Sequence, residues 1–323
     1  MLNPVRAVVL VMLFVMVPTV AHGQAYPTKP IRLIVPFPPG GINDVLARLI
    51  GQRLGDTLAQ PILIENRPGA GGTIGSNAVA KAVADGYTLL FGATSTVAVS
   101  PNLYTQLPYD PIKDFHPIGQ IASVASVLVV HPALPAQSLT ELVALARAKP
   151  GTLNFGSAGS GTSQHMGGEL LKSLARIDMV HVPYKGGGPA MADLVGGQLS
   201  MMIEPIPTAL PQIRSGKVRA LAVSTGKRVP ALSESPTFVE SGIAGYDLTI
   251  WFGLLAPAGT PREVITRLST ELGRSLRAPE MRERLAQQGA DPIIDTPEAF
   301  GEHIRREIAK WGGVVRASGA RVD

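Results

Sequence analysis

The sequence predicts a two-lobed α/β protein with a ligand cleft between the lobes, and three observations carry that reading. Short apolar runs alternate with helical patterns, the alternation stops and restarts midway, and glycine-rich loops stand where strands hand over to helices. Length agrees, because 323 residues exceed the roughly 250–300 that one hydrophobic core serves.

The elements follow in order. Arg6 precedes the apolar run Ala7–Val17, too short to cross a ~30 Å hydrocarbon core, and small residues follow at Ala21, Gly23 and Ala25. Residues 1–25 therefore read as a secretory signal peptide, which places the mature protein in the periplasm. The first α/β unit runs as strand Ile31–Pro36, helix Asn43–Leu58, strand Ile62–Glu65, helix Thr73–Ala84 and strand Tyr87–Phe91. Buried strands joined by crossover helices imply a parallel sheet.

The rhythm restarts at Val127–His131. A helix over Leu139–Ala148 opens on the capping signature Ser138 and Glu141, followed by strand Leu153–Gly156, helix Thr162–Ala175 and strand Met179–Tyr184. A helix over Pro189–Val195 and strands Met201–Glu204 and Val218–Ser224 complete the second unit. Then come a proline-punctuated stretch, the apolar segment Leu248–Ala256 and a helical tail whose starts read as Thr260-Pro261 and Thr296-Pro297. Val264, Leu268 and Leu272 share one face, as do Phe300, Ile304 and Ile308, which marks packing helices. The division expected is lobe one from 26–123 plus 227–323 and lobe two from 124–226, with hinges near Ala122–Val127 and Val223–Lys227.

Composition excludes several functions. There is no cysteine, hence no disulfide frame, thiolate metal site or cysteine nucleophile. The 29 basic residues face 24 acidic ones, with no run of four Lys/Arg and only 5 % aromatics, so neither a phosphate-tracking stripe nor a base-stacking platform exists for nucleic acid. His303 and Glu307 lie one helical turn apart, but the segment is highly charged and reads as a solvated pair, so no metal or other cofactor is assigned.

Three glycine loops carry the chemistry: Pro36–Gly41 leading into Asn43, Asn66–Gly72 leading into Thr73, and Gly156–Ser163 opening the helix that holds His165. Glycine lets backbone N–H groups approach a ligand, and a helix N-terminus favours negative charge. In open α/β sheets ligands bind beyond the carboxyl ends of the strands. No loop continues into a Walker motif or a dinucleotide fingerprint, which leaves a carboxylate as the natural guest. Ser157, Ser160 and Ser163 near His165 keep open an exported serine hydrolase or transferase, although no G-x-S-x-G elbow exists. The cluster Val182–Pro189 offers Tyr184 either as a ligand phenol or as part of a turn. Glu204 reads either as a partner for a ligand amino or hydroxyl group or as half of a hinge ion pair.

Several stretches resemble the periplasmic receptors of tripartite tricarboxylate transporters, the Bug-type family. They are residues 26–41, 65–82, 85–92, 115–132, 153–170, 182–198 and the tail from 253, in family order across nearly the whole mature chain. The resemblance implies a type II periplasmic-binding-protein fold that closes on a small mono- or dicarboxylate and hands it to a membrane permease, as a monomer. Carried onto this chain, it implies contacts from Phe37, Pro38, Gly40, Asn43, Asp44, Ala70 and Gly71 in lobe one. In lobe two it implies Ser157, Gly161, Thr162, Ser163 and His165. The chain departs from the family pattern at Asn43, where a threonine is usual, and at Glu204, where aspartate is. A sensory subunit would need the same capture step and is left open.

Overall fold

A computed structural model of the chain describes residues 26–322, so the signal-peptide expectation for residues 1–25 lies outside the described residues. In order, the elements are β1 (Ile31–Val35), α1 (Ile42–Leu58), β2 (Ile62–Asn66), α2 (Thr73–Ala80), β3 (Thr88–Ala93), α3 (Ser100–Leu103), β4 (Phe115–Val130), α4 (Leu139–Ala148), β5 (Asn154–Ser157) and α5 (Ser163–Ala175). They continue as β6 (Val180–Pro183), α6 (Gly187–Val195), β7 (Met201–Pro205), α7 (Ile206–Arg214), β8 (Arg219–Val223), β9 (Thr249–Pro257), α8 (Arg262–Arg277), α9 (Pro279–Gln287), β10 (Ala290–Pro292) and α10 (Pro297–Ser318).

In the first half β1 pairs in parallel with β2 and β3, and in the second β5 pairs in parallel with β6 and β7. The strand that joins the halves is β4. Its first part, Phe115–Ala125, lies antiparallel to β9, and its second part, Ser126–Val130, lies antiparallel to β7 and β8. A single 16-residue strand therefore belongs to both sheets. Sequence reading found only its end at Val127, because Pro117, Gly119, Gln120 and Ser123 interrupt the apolar run.

One apolar cluster, around Leu33, Ile50, Phe252 and Leu268, belongs to the first half, and another, around Val129, Met202 and Ile206, belongs to the second. The largest runs continuously from Val97 and Leu90 through Phe155, Met166 and Ile203 to Trp251, Phe300 and Trp311. Through it α10 packs against α5 as well as β4, so the tail helix braces both halves. Burial in such clusters stabilises at about 25 cal/mol per Å² of apolar surface.

Four local expectations are corrected. Residues 227–248 remain with the second half: Thr237 bridges to Val223, and the Tyr246 hydroxyl donates to the Gly167 carbonyl at 3.1 Å. The chain returns to the first half at β9, not at residue 227. Helix α2 ends at Ala80, short of Ala84. Thr260 does not cap α8, whose N-cap is Pro261, because its hydroxyl donates back to the Pro257 carbonyl at 2.8 Å. Thr296 does cap α10, accepting from the Ala299 N–H at 3.2 Å. Finally, Glu307 is buried: its Oε2 accepts from the indoles of Trp251 (3.1 Å) and Trp311 (3.0 Å), while Lys310 donates to Oε1. A solvated His303–Glu307 pair is thereby excluded, and His303 sets its ring edge-on to Trp251. No His/Asp/Glu grouping suited to a metal occurs among the described residues.

Candidate functional site

Parallel pairing sends the carboxyl ends of β1 and β2, and of β5, β6 and β7, toward the helices that follow them, so five helix starts gather at the strand ends. The two sets meet. A Cβ added at Gly71 would lie 2.8 Å from the Tyr104 hydroxyl and 3.7 Å from the Ser160 carbonyl, and one added at Gly161 would lie 2.5 Å from Leu103. The loop after β2 and the loop after β5 therefore face each other at close range, which only glycine permits.

On the first side, Gly41 is the N-cap of α1 and no side chain caps the helix. The first-turn amides of Ile42, Asn43 and Asp44 are left for an outside acceptor. Asp44, three residues past the N-cap, reaches back to accept from the Gly40 N–H at 3.0 Å, and also from Arg48 Nε and the Asn66 side chain, each at 3.0 Å. Burial opposes its charge, but hydrogen bonds from Arg48, Gly40 and Asn66 outweigh that and hold the carboxyl below its usual range. Asn66 also donates to the Phe37 carbonyl at 3.1 Å, pinning the half-buried Phe37 and the exposed Pro38 turn. Both Asp44 oxygens are thus engaged within the protein, where the residue holds the loop. Asn43 differs, since its Oδ1 is buried without a hydrogen-bond partner. Ala70 is exposed, sits at φ 46° and accepts from the Tyr104 hydroxyl at 2.8 Å, which sets the turn that presents Gly71.

On the second side, Thr162 caps α5: its Oγ1 accepts from the His165 N–H at 3.5 Å and donates to the Gly159 carbonyl at 2.7 Å. The Gly161 N–H donates to His165 Nδ1 at 3.1 Å, so His165 holds the loop through its ring. Ser163 occupies the first position of α5 and is buried there. Ser157 is 0 % exposed. Its hydroxyl donates to the Gly159 carbonyl, accepts from the Gly159 N–H, both at 3.1 Å, and lies 2.7 Å from His181 Nε2. Ser157 is thus a buried support of the loop.

Sequence reading left His181 isolated, yet it stacks on His165 with centroids 3.8 Å apart and on Phe155 at 5.0 Å. No sequence signal joined them, because β6 brings His181 alongside β5 only through strand pairing. Burial, reinforced by Lys172, lowers the His165 pKa to about 4; burial, His165 and Lys172 lower that of His181 to about 3. Both rings are neutral at physiological pH. Tyr184 donates its hydroxyl to Asp193 at 2.6 Å, which pushes the phenol up to about 12 and braces the loop after β6.

Glu204, at the end of β7, is 3 % exposed. The Thr208 hydroxyl donates to Oε1 at 2.6 Å, and Oε2 has no hydrogen-bond partner. Among the described residues Glu204 forms no ion pair, so the hinge-pair reading is corrected. Helix α6 opens beside it without a side-chain cap, with Gly186 as N-cap at φ 124°.

Known proteins are similar to this chain in sequence and fold. A protein from Bordetella pertussis named BugT is 39 % identical over 327 residues, covering 99 % of this chain and all of that one. A solved structure described as R. palustris Rpa4515 with adipate superposes with a TM-score of 0.86 at 38 % identity, covering 92 % of this chain and 100 % of that chain. MatC from Rhodopseudomonas palustris, with bound malate, superposes with a TM-score of 0.82 at 34 % identity, over 90 % of this chain and 100 % of that one. The family model described as tripartite tricarboxylate transporter family receptor matches residues 46–320. With its two sheets joined through β4 and its helix starts gathered at their strand ends, the chain belongs to the tripartite tricarboxylate transporter family of receptors.

Proposed function

We propose that this receptor captures a small organic mono- or dicarboxylate between its halves, outside the cytoplasmic membrane, and delivers it to the transporter's permease subunits. The observation that carries the reading is the pair of uncapped helix starts, α1 and α6, on opposite halves whose loops meet at Gly71 and Ser160. Free first-turn amides with the positive end of the helix dipole suit a carboxylate at each end of the ligand. Asn43, Ser163, Gly71 and the 159–162 backbone complete the contacts, while Gly40 and Thr162 set their positions. In this reading the receptor acts as a monomer. A few charge-assisted hydrogen bonds of about 1.5–3 kcal/mol each, less ordering and desolvation, reach the roughly −8 kcal/mol of a micromolar complex without any chemistry on the ligand.

The Ser157–His181 pair has the separation of a nucleophile and its base, but Ser157 is enclosed and its hydroxyl is shared with Gly159. The family is one of receptors.

Calorimetry and thermal shift of the mature chain with succinate, adipate and malate test the proposal. We expect stabilisation of about 2.7 kcal/mol at a hundredfold excess over Kd, with ligand recovered unchanged by mass spectrometry. Thr162→Ala, which frees the Gly159 carbonyl and the α5 cap, should weaken binding about tenfold. Binding of no carboxylate, or conversion of the ligand, would overturn it.

A further inference from the structure

Glu204 presents an unusual arrangement: a carboxyl group enclosed in protein with no cation to balance it. The groups facing it are neutral. Thr208 of α7 donates to Oε1, Val127 of β4 stands opposite in the sheet, and the Gln164 side chain of α5 faces the carboxyl. From α6 only backbone approaches: a Cβ added at Gly187 would lie 3.1 Å from Oε1 and 3.5 Å from Oε2. No ion pair to Glu204 exists among the described residues.

The position matters as much as the enclosure. Glu204 lies at the carboxyl end of β7, beside the loop after β5 and against the first residue of α6, the helix start assigned above to the ligand. A carboxylate bound there brings a second negative charge into the same poorly screened space. Two such charges cannot both persist cheaply, so one of them takes a proton.

Resting on the carboxylate-receptor reading, we propose that Glu204 is a proton-binding site of the cleft, so that this receptor captures its anionic ligand together with one proton. Burial already pushes the Glu204 carboxyl up to about 7, against the opposing hydrogen bonds from Thr208 and Gln164. A bound anion raises it further, and the proton is drawn from solvent as the halves close. Affinity consequently falls as pH rises above 7, by up to about tenfold per unit. His165 and His181, at about 4 and 3, do not titrate in that window.

The test is calorimetric titration of the mature chain with succinate and with adipate at pH 7.5, in phosphate and in Tris, whose ionisation enthalpies differ. The difference in apparent heat counts protons. We expect uptake of about 0.5–1 proton per ligand in the wild type. Glu204→Gln, of the same shape, should bind with no uptake and with affinity constant from pH 6.5 to 8.5. Thr208→Val removes the donor that favours the ionised carboxyl and should move the onset of the affinity loss to higher pH. Zero uptake in the wild type, or uptake unchanged in Glu204→Gln, overturns the proposal while leaving the receptor reading intact. Failure of every carboxylate to bind the wild type overturns both.

Discussion

His165 and His181 show how single side chains decide the acid stability of this protein. Both imidazoles are enclosed, stacked on each other, and committed as acceptors or partners within the loop after β5. Their folded pKa values, about 4 and about 3, lie below the 6.5 of an exposed histidine. A depressed histidine stabilises the fold at pH above its unfolded value, and that stability is lost as pH falls through the folded value. Glu204 acts in the opposite sense, since its raised pKa favours the folded state toward acid. Two histidines against one glutamate make the net slope unfavourable below pH 6.5. Urea denaturation between pH 7 and pH 4 should show falling stability, and His181→Asn should flatten the curve; an unchanged slope in that variant would remove the stack as the cause. At this scale the sequence was half legible. Thr162 as a cap and the glycine loops declared themselves by local spacing, whereas the support roles of Asp44, Ser157 and Tyr184 depend on Asn66, His181 and Asp193, partners supplied by strand pairing or by the return of a helix.

Among the elements, β4 controls how the halves are joined, and one hydroxyl holds the junction. Ser224 is fully buried where β8 ends; its Oγ accepts from the Ser126 N–H of β4 at 2.9 Å and donates to the Leu248 carbonyl before β9 at 2.6 Å. Its own N–H donates to the Ser126 carbonyl at 2.8 Å. The two chain crossings, within β4 and just before β9, are thus tied together through one hydroxyl at the end of β8. Removing the hydroxyl strands a buried donor and a buried acceptor, at about 1–3 kcal/mol each. Ser224→Ala should therefore lower the melting temperature by several degrees and speed hydrogen exchange at Ser126 and Leu248, while distant helices such as α9 stay as protected as in the wild type. Uniform exchange throughout would mean the crossings are held elsewhere. The two α/β units were legible because their periodicities are local. The place of the return crossing, before β9 instead of near residue 227, was not, because residues 227–248 have no regular pattern and find their place through Phe238 and Tyr246, whose rings stack 3.7 Å apart.

For the molecule as a whole, the contact of Gly161 with Leu103 sets how near the two halves come. Gly161 sits at φ 79°, and an added Cβ would lie 2.5 Å from Leu103 Cδ2, about 1 Å inside van der Waals contact. Leu103 is buried against the tail helix and cannot retreat freely. An alanine at 161 must either push the loop after β5 away or keep the halves apart, and its left-handed backbone adds about 1–2 kcal/mol. Because α10 braces both halves, a displacement at the mouth is carried into the relation between the lobes instead of being absorbed by the loop alone. Gly161→Ala should bind succinate or adipate at least tenfold more weakly, and X-ray scattering should no longer show the ligand-induced decrease in radius of gyration that a closing receptor gives. Combining it with Leu103→Val, which deletes Cδ2 at a cost of about 1 kcal/mol, relieves the steric part and leaves only the backbone penalty. Partial recovery of affinity and compaction in the double variant assigns closure to this contact; a single variant that binds and compacts like the wild type assigns it elsewhere.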